Sequence, residues 1–383
     1  MSTTAAQGFR AAGVVAGLKS TGKPDVALVV NDGPLFRAAG VFTSNRVQAA
    51  PVRISREVVR SGEVRAVVLN SGGANACTGP EGLADAQATT AAVASAIGVP
   101  AESVAVCSTG LIGVRLPMDR VLRGVDAAVA ALSTDGGSDA ALAIMTTDSI
   151  PKTAVRSGTG YTIGGMAKGA GMLAPGLATM LVVITTDAEV ASEDLETALR
   201  AATARTFDRI DSDGCMSTND TVLLLANGAS GVAPASTEFA ALVEEVCAEL
   251  ALKLIGDAEG STKDVRIHVS AAASEADALA VARAISRSNL LKCAIHGEDP
   301  NWGRVLAAIG TTAAAFDPDE IDVAINGVWV CRDGRAGDSR DLVDMGGRVV
   351  TITVSLRAGD AEATLWTNDL TAMYVHENSA YSS

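Results

Sequence analysis

The sequence predicts an α/β fold, a sandwich of mixed sheets with helical outer layers. Short runs of β-branched and aliphatic residues alternate along the 383-residue chain with alanine-rich stretches of helical spacing, and this alternation is typical of sheets covered by helices. Hydrophobic residues make up 48% of the chain but aromatic residues only 3%, so the core must consist of Ala, Val, Leu and Ile. The length fits either one large domain or two of ordinary size.

Strands are predicted where aliphatic and β-branched residues run together between turn-forming residues. The last predicted strand alternates apolar and polar residues cleanly, as a strand with one face in solvent should. In chain order the predicted strands are Val26–Val30, Ala66–Leu69, Val104–Cys107, Leu181–Thr185, Val222–Leu225, Val265–Val269, Ile321–Ile325 and Val349–Leu356.

Helices are predicted where apolar residues recur every three or four positions. Ser192 is expected to cap one of them, because a serine side chain can accept a first-turn N–H and acidic residues follow it, where the helix dipole favours negative charge. Ser274, with Asp277 three residues later, fits a looser capping box. The predicted helices are Gly82–Ile97, Pro117–Ala131, Ser192–Thr206, Ser236–Ile255 and Ser274–Ser286.

Charge and composition limit the classes of partner. The net charge is −14, and an acidic protein repels phosphate backbones and anionic membranes. The scarcity of aromatic rings removes a stacking platform for bases. No basic N-terminal segment precedes a long apolar stretch, and Pro175 and Gly176 interrupt the apolar residues around them, so neither a signal peptide nor a membrane span is predicted. We expect small-molecule substrates and a cytoplasmic location.

The cysteines and histidines do not suggest a metal site. The six cysteines are widely spread, no two form CxxC, and none joins a histidine at zinc-binding spacing. The simplest interpretation is buried, reduced thiols in a cytosolic protein. His268, His296 and His376 fit no metal-ligand pattern, and His268 lies in an alternating strand, where we interpret it as structural.

The candidate nucleophile is Thr179, which follows a loop broken by glycine and proline and begins a strand pattern. A hydroxyl at such a junction can attack the carbonyl before it. Cleavage of the Ala178–Thr179 bond would leave Thr179 with a free α-amine, which can act as base for its own hydroxyl. The alternative is a threonine that only begins a core strand.

Three further segments resemble known motifs. Residues 104–110 predict a strand that runs into the turn Thr109-Gly110, whose backbone N–H groups can face a developing oxyanion, although an ordinary turn has the same pattern. Gly169–Ala174 matches the dinucleotide fingerprint GxGxxA, but Pro175 follows where a helix should begin. Ser149–Lys152 matches SxxK without its companion motifs. We interpret the last two matches as coincidence.

Taken together, several motifs resemble the ornithine acetyltransferase family of arginine biosynthesis, also called glutamate N-acetyltransferase. Each motif is weak alone, but they run in order over most of the chain. The matching segments are Ser108-Thr-Gly110, Met145-Thr-Thr-Asp148, Lys168-Gly-Ala-Gly-Met172, Ala178-Thr-Met-Leu181, Asp299-Pro-Asn-Trp-Gly-Arg304 and His376-Glu-Asn-Ser379.

The resemblance implies a self-processed enzyme of the N-terminal-nucleophile type. Cleavage at Ala178–Thr179 would give an α chain of residues 1–178 and a β chain of residues 179–383, which remain associated as an α2β2 heterotetramer. The implied nucleophile is Thr179, and the implied oxyanion hole is Thr109 with Gly110. The residues implied to line the substrate site are Thr146, Lys168, Thr179, Glu259, Asn378 and Ser383.

The implied reaction is ping-pong transfer of an acetyl group from N-acetylornithine to glutamate through an acetyl-threonine. No cofactor is implied, and acetyl-CoA stays open as an alternative acetyl donor. Lys168 would pair with a substrate carboxylate and Glu259 with the ornithine ammonium, although a surface ion pair is the alternative for each. Two other functions remain open: an amidase that releases the acyl group to water, and an uncleaved small-molecule-binding protein.

Overall fold

The computed structural model describes residues 2–174 and 180–380. They form two compact units. The first contains residues 2–208 and 215–257, and the second contains residues 209–214 and 258–380. The length allowed either one large domain or two of ordinary size, and the chain forms two compact units.

The first unit carries strands and helices in alternation. Its strands are β1 (Phe9–Val14), β2 (Val26–Asn31), β3 (Arg37–Phe42), β4 (Ala66–Asn70), β5 (Val104–Ser108), β6 (Lys152–Ser157), β7 (Thr162–Lys168), β8 (Leu181–Thr186) and β9 (Thr221–Ala226). Its helices are α1 (Ala50–Arg60), α2 (Gly79–Ile97), α3 (Met118–Ala130), α4 (Gly137–Ala143), α5 (Ser192–Arg205) and α6 (Ser236–Gly256).

Two mixed sheets of the first unit pack face to face. One has the strand order β1-β2-β4-β5 and the other β3-β9-β8-β7-β6, each with one parallel pair among antiparallel ones. Along β2, Ala27 and Val29 point into the core shared by the sheets, whereas Val26, Leu28 and Val30 pack towards α2 and α3. Because both faces of β2 are covered, its sequence is a continuous apolar run, and each fully buried Val or Leu contributes about 1.5–3 kcal/mol.

Helices α5 and α6 cover the other sheet. Helix α6 approaches β7 closely, since a Cβ added at Gly165 would lie only 3.2 Å from Leu250. The predicted sandwich of mixed sheets with helical outer layers is therefore confirmed for this unit.

The second unit contains a single mixed sheet in the order β13-β12-β11-β14-β10-β15. Helices α7 and α9 pack on its apolar face, and β14 alternates buried Val350, Ile352 and Val354 with half-exposed threonines, as predicted. The elements are β10 (Asp264–Ala272), α7 (Glu275–Ser286), α8 (Asn289–His296), α9 (Trp302–Ile309), β11 (Asp322–Ile325), β12 (Val328–Arg332), β13 (Arg335–Ala336), β14 (Val349–Ser355), β15 (Ala361–Asn368) and α10 (Ala372–Ala380).

Every predicted strand and helix is present within a few residues of its predicted ends, but several others were missed. Strand β7 is an example. Its Gly164 and Gly165 argue against a strand by propensity, yet a side chain at Gly164 would meet the Ser2 carbonyl at 2.1 Å. Close packing therefore excludes a side chain at Gly164 and leaves little room for one at Gly165 on the other face, and the sequence does not reveal these contacts.

Of three local predictions, one was wrong, one was confirmed and one holds only in part. The helix α5 begins at Ser192 itself, and the cap position is Ala191, with no side-chain cap hydrogen bond. Ser274 does cap α7, accepting the N–H of Asp277. All six cysteines are free, but Cys77, Cys215 and Cys293 are exposed, so the prediction of buried thiols holds only for the other three.

Candidate active site

The Thr109-Gly110 turn follows directly after β5 and is fixed by backbone hydrogen bonds. The Thr109 N–H donates to the Asn70 carbonyl at 3.0 Å, and the Thr109 carbonyl accepts from Gly73 N–H at 3.0 Å. The Asn219 side-chain amide also donates to the Ser108 carbonyl at 2.8 Å. The expectation that the Thr109 N–H can face an oxyanion is therefore wrong, because that group is already occupied.

Two donors of the turn remain for an oxyanion, the Thr109 hydroxyl and the Gly110 N–H. The Gly110 N–H donates to no acceptor within residues 2–174 and 180–380. Gly110 has a φ of 131°, and a Cβ there would lie 2.8 Å from Gly73 N. Only glycine fits this position, since the backbone conformation and the contact with Gly73 both exclude a side chain.

Lys168 ends β7 and contacts this turn. It is only 1% exposed, and its Nζ donates to Thr109 Oγ1 at 3.3 Å. A surface ion pair is therefore excluded for Lys168. Because the ammonium occupies a lone pair of the Thr109 oxygen, the hydroxyl hydrogen is left to donate elsewhere.

Asp148 is the anionic centre beside Lys168. Its Oδ1 accepts from Lys152 Nζ at 2.5 Å and from Gly169 N–H at 2.7 Å, and its Oδ2 accepts from Thr146 N–H at 2.9 Å. Burial by itself raises the pKa of Asp148, but the charges of Lys168 and Lys152 and the Gly169 N–H outweigh it and lower the pKa to about 2. The Asp148 carboxylate thus links Thr146 to the same cluster as Lys168.

The SxxK match does not produce a serine–lysine pair. Lys152 begins β6 instead of continuing a helix from Ser149, and its Nζ pairs with both Asp148 and Asp257. The Ser149 hydroxyl hydrogen-bonds to Asp257. The segment 169–174 likewise contains no helix, so the dinucleotide fingerprint lacks the element that would bind a pyrophosphate.

A second pair of predicted site residues lies in the second unit. The Glu259 carboxylate accepts from the Asn378 side-chain amide at 3.0 Å, which joins the start of this unit to α10. Glu259 is half-buried and Asn378 sits on the exposed part of α10, so the pair offers an anionic oxygen and an amide to a small polar ligand.

The remaining predicted site residues, Ala178, Thr179 and Ser383, lie outside the described residues. The first residue described after the junction is Met180, which is fully buried immediately before β8, the middle strand of its sheet. Cys107, close to the turn, is no rival nucleophile: burial raises the pKa of its thiol to about 12 despite a hydrogen bond with Thr221.

Within residues 2–174 and 180–380 no group of His, Cys, Asp and Glu side chains is arranged to hold a metal ion. His268 lies in β10 with its Nδ1 3.1 Å from Thr364 Oγ1 on the neighbouring strand. In the same described ranges no helix combines the length and the apolar character needed to cross a bilayer.

The mixed-sheet sandwich places a Thr-Gly turn, contacted by a buried lysine, where it can stabilise an oxyanion of the kind that forms in acyl transfer. The model of the ArgJ family matches residues 10–383, and the chain belongs to that family. Similar curated proteins are the arginine biosynthesis bifunctional proteins ArgJ of Streptomyces coelicolor, 66% identical over 100% of both chains, and of Thermobifida fusca, 62% identical over 100% of both. The resemblance inferred from the motifs is therefore confirmed, and with it the class of enzyme.

Two solved structures also match parts of the chain. One is an ornithine acetyltransferase complexed with ornithine from Mycobacterium tuberculosis, 53% identical, with a TM-score of 0.44 over 47% of this chain and 96% of that one. The other is the arginine biosynthesis bifunctional protein ArgJ of Bacillus halodurans, 34% identical, with a TM-score of 0.49 over 51% of this chain and 97% of that one.

Proposed function

We propose that this enzyme moves the acetyl group of N-acetylornithine to glutamate through an acetyl ester on Thr179, after self-cleavage at Ala178–Thr179. The observation that carries the proposal is the buried Lys168 ammonium bonded to the Thr109 hydroxyl at 3.3 Å, because it prepares a donor beside Gly110 for an oxyanion. Membership of the ArgJ family and the arginine-biosynthesis names of the curated relatives support the choice of substrates.

In the proposed mechanism the Thr179 hydroxyl attacks the acetyl carbonyl while the α-amine of the same residue takes the proton. A free α-amine has a pKa of about 7.7–8.0, close to working pH. The Thr109 hydroxyl and Gly110 N–H hold the oxyanion, and losing such a donor typically costs about 100- to 1000-fold in rate. The acetyl carbon–nitrogen bond breaks, and the α-ammonium of Thr179 returns the proton to the departing ornithine nitrogen. The amine of glutamate then attacks the ester, its proton passes through the α-amine to the Thr179 oxygen, and the acetyl group leaves as N-acetylglutamate.

The substrate contacts are part of the proposal. Lys168 and Thr146 would line the acyl side of the site, Glu259 would meet the ornithine ammonium, and Asn378 and Ser383 would complete the pocket. Both half-reactions exchange an acyl group between nucleophiles, so no cofactor is required. The word bifunctional in the names of the curated relatives favours a second activity, and we propose acetyl-CoA as the alternative acetyl donor.

The proposed assembly is an α2β2 heterotetramer of chains 1–178 and 179–383 in the cytoplasm. Native mass spectrometry measures the assembly, and fractionation of the producing cell measures the location.

A denaturing gel tests the proposed processing. The wild type should give two bands and an N-terminal sequence beginning Thr-Met-Leu-Val, whereas Thr179→Ala should remain one band near 38.6 kDa without activity. One band for fully active wild type would contradict the proposal and favour an uncleaved protein. Labelled N-acetylornithine with and without glutamate then separates transfer from hydrolysis: acetate release independent of glutamate would indicate an amidase.

A further inference from the structure

Asp220 is a buried carboxyl directly beside the residue that follows Thr179. It is 0% exposed and precedes β9. Its Oδ1 accepts the N–H of Met180 at 3.1 Å. Its Oδ2 is also buried and makes no hydrogen bond of normal geometry in the described part of the chain, while the Ser217 hydroxyl lies near enough to interact with the carboxyl. Asp220 lies outside the matched motifs and has no role in the proposed acetyl transfer.

Backbone hydrogen bonds fix the carboxyl in this place. The carbonyl of Asp220 accepts from Thr43 N–H at 3.0 Å, and Thr221 N–H donates to the Met180 carbonyl at 3.1 Å. Asn219, the preceding residue, donates to the Ser108 carbonyl, next to Thr109. The segment 219–221 therefore connects the chain just after the Ala178–Thr179 bond with the Thr109-Gly110 turn.

The surroundings of Asp220 favour its neutral form. Burial raises its pKa well above the usual range for an aspartate. The Met180 N–H, the Ser217 hydroxyl and the charge of Lys168 oppose that effect without cancelling it, and Asp208 adds to it. A protonated carboxyl can accept one hydrogen bond through Oδ1 and donate another through Oδ2. A proton on Oδ2 is therefore available beside Met180, since no hydrogen bond of normal geometry engages that oxygen in the described part of the chain.

We propose that Asp220 is the acid that protonates the Thr179 nitrogen when the Ala178–Thr179 bond breaks. The inference rests on the proposed self-cleavage and assigns a side chain to it. The Thr179 hydroxyl oxygen bonds to the Ala178 carbonyl carbon, the carbon–nitrogen bond breaks, and the nitrogen leaves as an amine with the proton of Asp220. The hydroxyl proton returns to the carboxylate, so Asp220 ends the step neutral. Water then hydrolyses the ester to an Ala178 carboxyl and a Thr179 hydroxyl.

The alternative is that Asp220 only accepts the Met180 N–H. Asp220→Asn separates the two, because an amide keeps the acceptor and the shape but cannot supply the proton. The matched control is Asp187→Asn, at the other end of β8, where a carboxyl that is 1% exposed accepts N–H groups of Gln7 and Thr162.

The experiment follows conversion of the full-length chain into two chains on a denaturing gel, with circular dichroism to verify that each variant is folded. Asp220→Asn should process at least about 100-fold more slowly than wild type, the usual contribution of a general acid, while Asp187→Asn processes at the wild-type rate. Equal rates for Asp220→Asn and wild type would overturn the role of Asp220. A wild type that never yields two chains would overturn the proposed function as well, so the two failures are distinguishable.

Hydroxylamine adds a second readout, since it cleaves esters but not ordinary amides. Folded Asp220→Asn precursor should resist neutral hydroxylamine, because without the acid the ester does not form. Cleavage of this precursor between Ala178 and Thr179 by hydroxylamine would show that the ester forms without Asp220 and would refute the assignment.

A third measurement does not depend on the folding of Asp220→Asn. The Thr179→Ser precursor should cleave slowly enough to be isolated, and its cleavage rate should fall as pH rises and Asp220 loses its proton. Lys168 and Asp208 are the charged groups that influence this titration. A rate that stays level or rises over the whole range in which the precursor remains folded would contradict the proposal.

Discussion

Replacing Asp148 by asparagine should destabilise the first unit by about 3 kcal/mol at pH 7. The carboxylate is buried and accepts from Lys152 Nζ, the Gly169 N–H and the Thr146 N–H. Lys152 and Lys168 are 0% and 1% exposed, so removing the negative charge leaves two ammonium groups in a region that water does not reach. Asparagine keeps the shape of the side chain, which makes the lost charge the main change.

The magnitude follows from the pKa and from the pairing. A pKa of about 2 instead of the usual 3.8 means that the folded state favours the charged form by about 2 kcal/mol, at about 1.36 kcal/mol for each tenfold change. Breaking a buried ion pair from one side typically costs about 3–5 kcal/mol. The lower end applies because Lys152 keeps Asp257 as a second partner at 2.5 Å.

The pH dependence has a defined sign. Because folding lowers the pKa of Asp148, the carboxylate stabilises the protein fully above pH about 4, and this contribution is lost as pH falls towards about 2. The difference between wild type and Asp148→Asn should therefore be constant near neutral pH and narrow in acid. A difference that widens in acid would refute this account.

The assay must report on the first unit alone. All three tryptophans lie at positions 302, 329 and 366 of the second unit, so tryptophan fluorescence serves as the reference. Pulsed labelling of the buried Cys107 thiol in urea measures opening of the first unit. Both variants are made in the Thr179→Ala background to keep the chain state equal, and Asp119→Asn is the control, because Asp119 is 67% exposed in its pair with Arg123. If Asp148→Asn lowers the free energy of unfolding by no more than Asp119→Asn does, about 0.5 kcal/mol, the electrostatic explanation is wrong.

Two further predictions concern the turn and the second unit. Gly110→Ala should lower the free energy of unfolding by about 1–3 kcal/mol and abolish turnover, because the new Cβ would lie 2.8 Å from Gly73 N. Gly113→Ala, with nothing within 4 Å of its new Cβ, should have smaller effects on thermal unfolding and on kinetics. Equal effects of the two variants would contradict the steric argument. Glu259→Gln should raise KM for N-acetylornithine about 10-fold or more, as expected for a lost charged contact, while Glu362→Gln, at a side chain 70% exposed, should not; an unchanged KM for Glu259→Gln would remove its role in binding ornithine.

Most of the strands that the sequence predicted have a local pattern that follows from burial. Strands β2, β4, β5, β8 and β9 are covered on both faces, so each is an uninterrupted aliphatic run. Strand β7 is equally buried, but its glycines are needed because residues from other parts of the chain pack closely against them. A local sequence pattern therefore identifies strands that are built from aliphatic residues. It misses a strand whose composition depends on tertiary contacts.

The sequence predicted individual residues of the candidate site but not how they pair in the structure. The motifs identified Thr109, Lys168, Glu259 and Asn378, but as separate segments. Glu259 and Asn378, which hydrogen-bond to each other, are 119 residues apart along the chain. Spacing within a single sequence does not indicate which distant residues will meet, so the pairings and the burial of Lys168 had to come from the structure.

Taken by itself, the sequence determined the succession of sheets and helices and the family to which the chain belongs, since both depend on short stretches of residues. The tertiary structure decided the charge of its aspartates. Asp148 has a pKa lowered by two lysines and a backbone N–H, whereas Asp220 has a pKa raised by burial that Lys168 does not offset. The two residues are chemically identical, and the charges and solvent around a carboxyl, brought together only by folding, fix whether it keeps its proton.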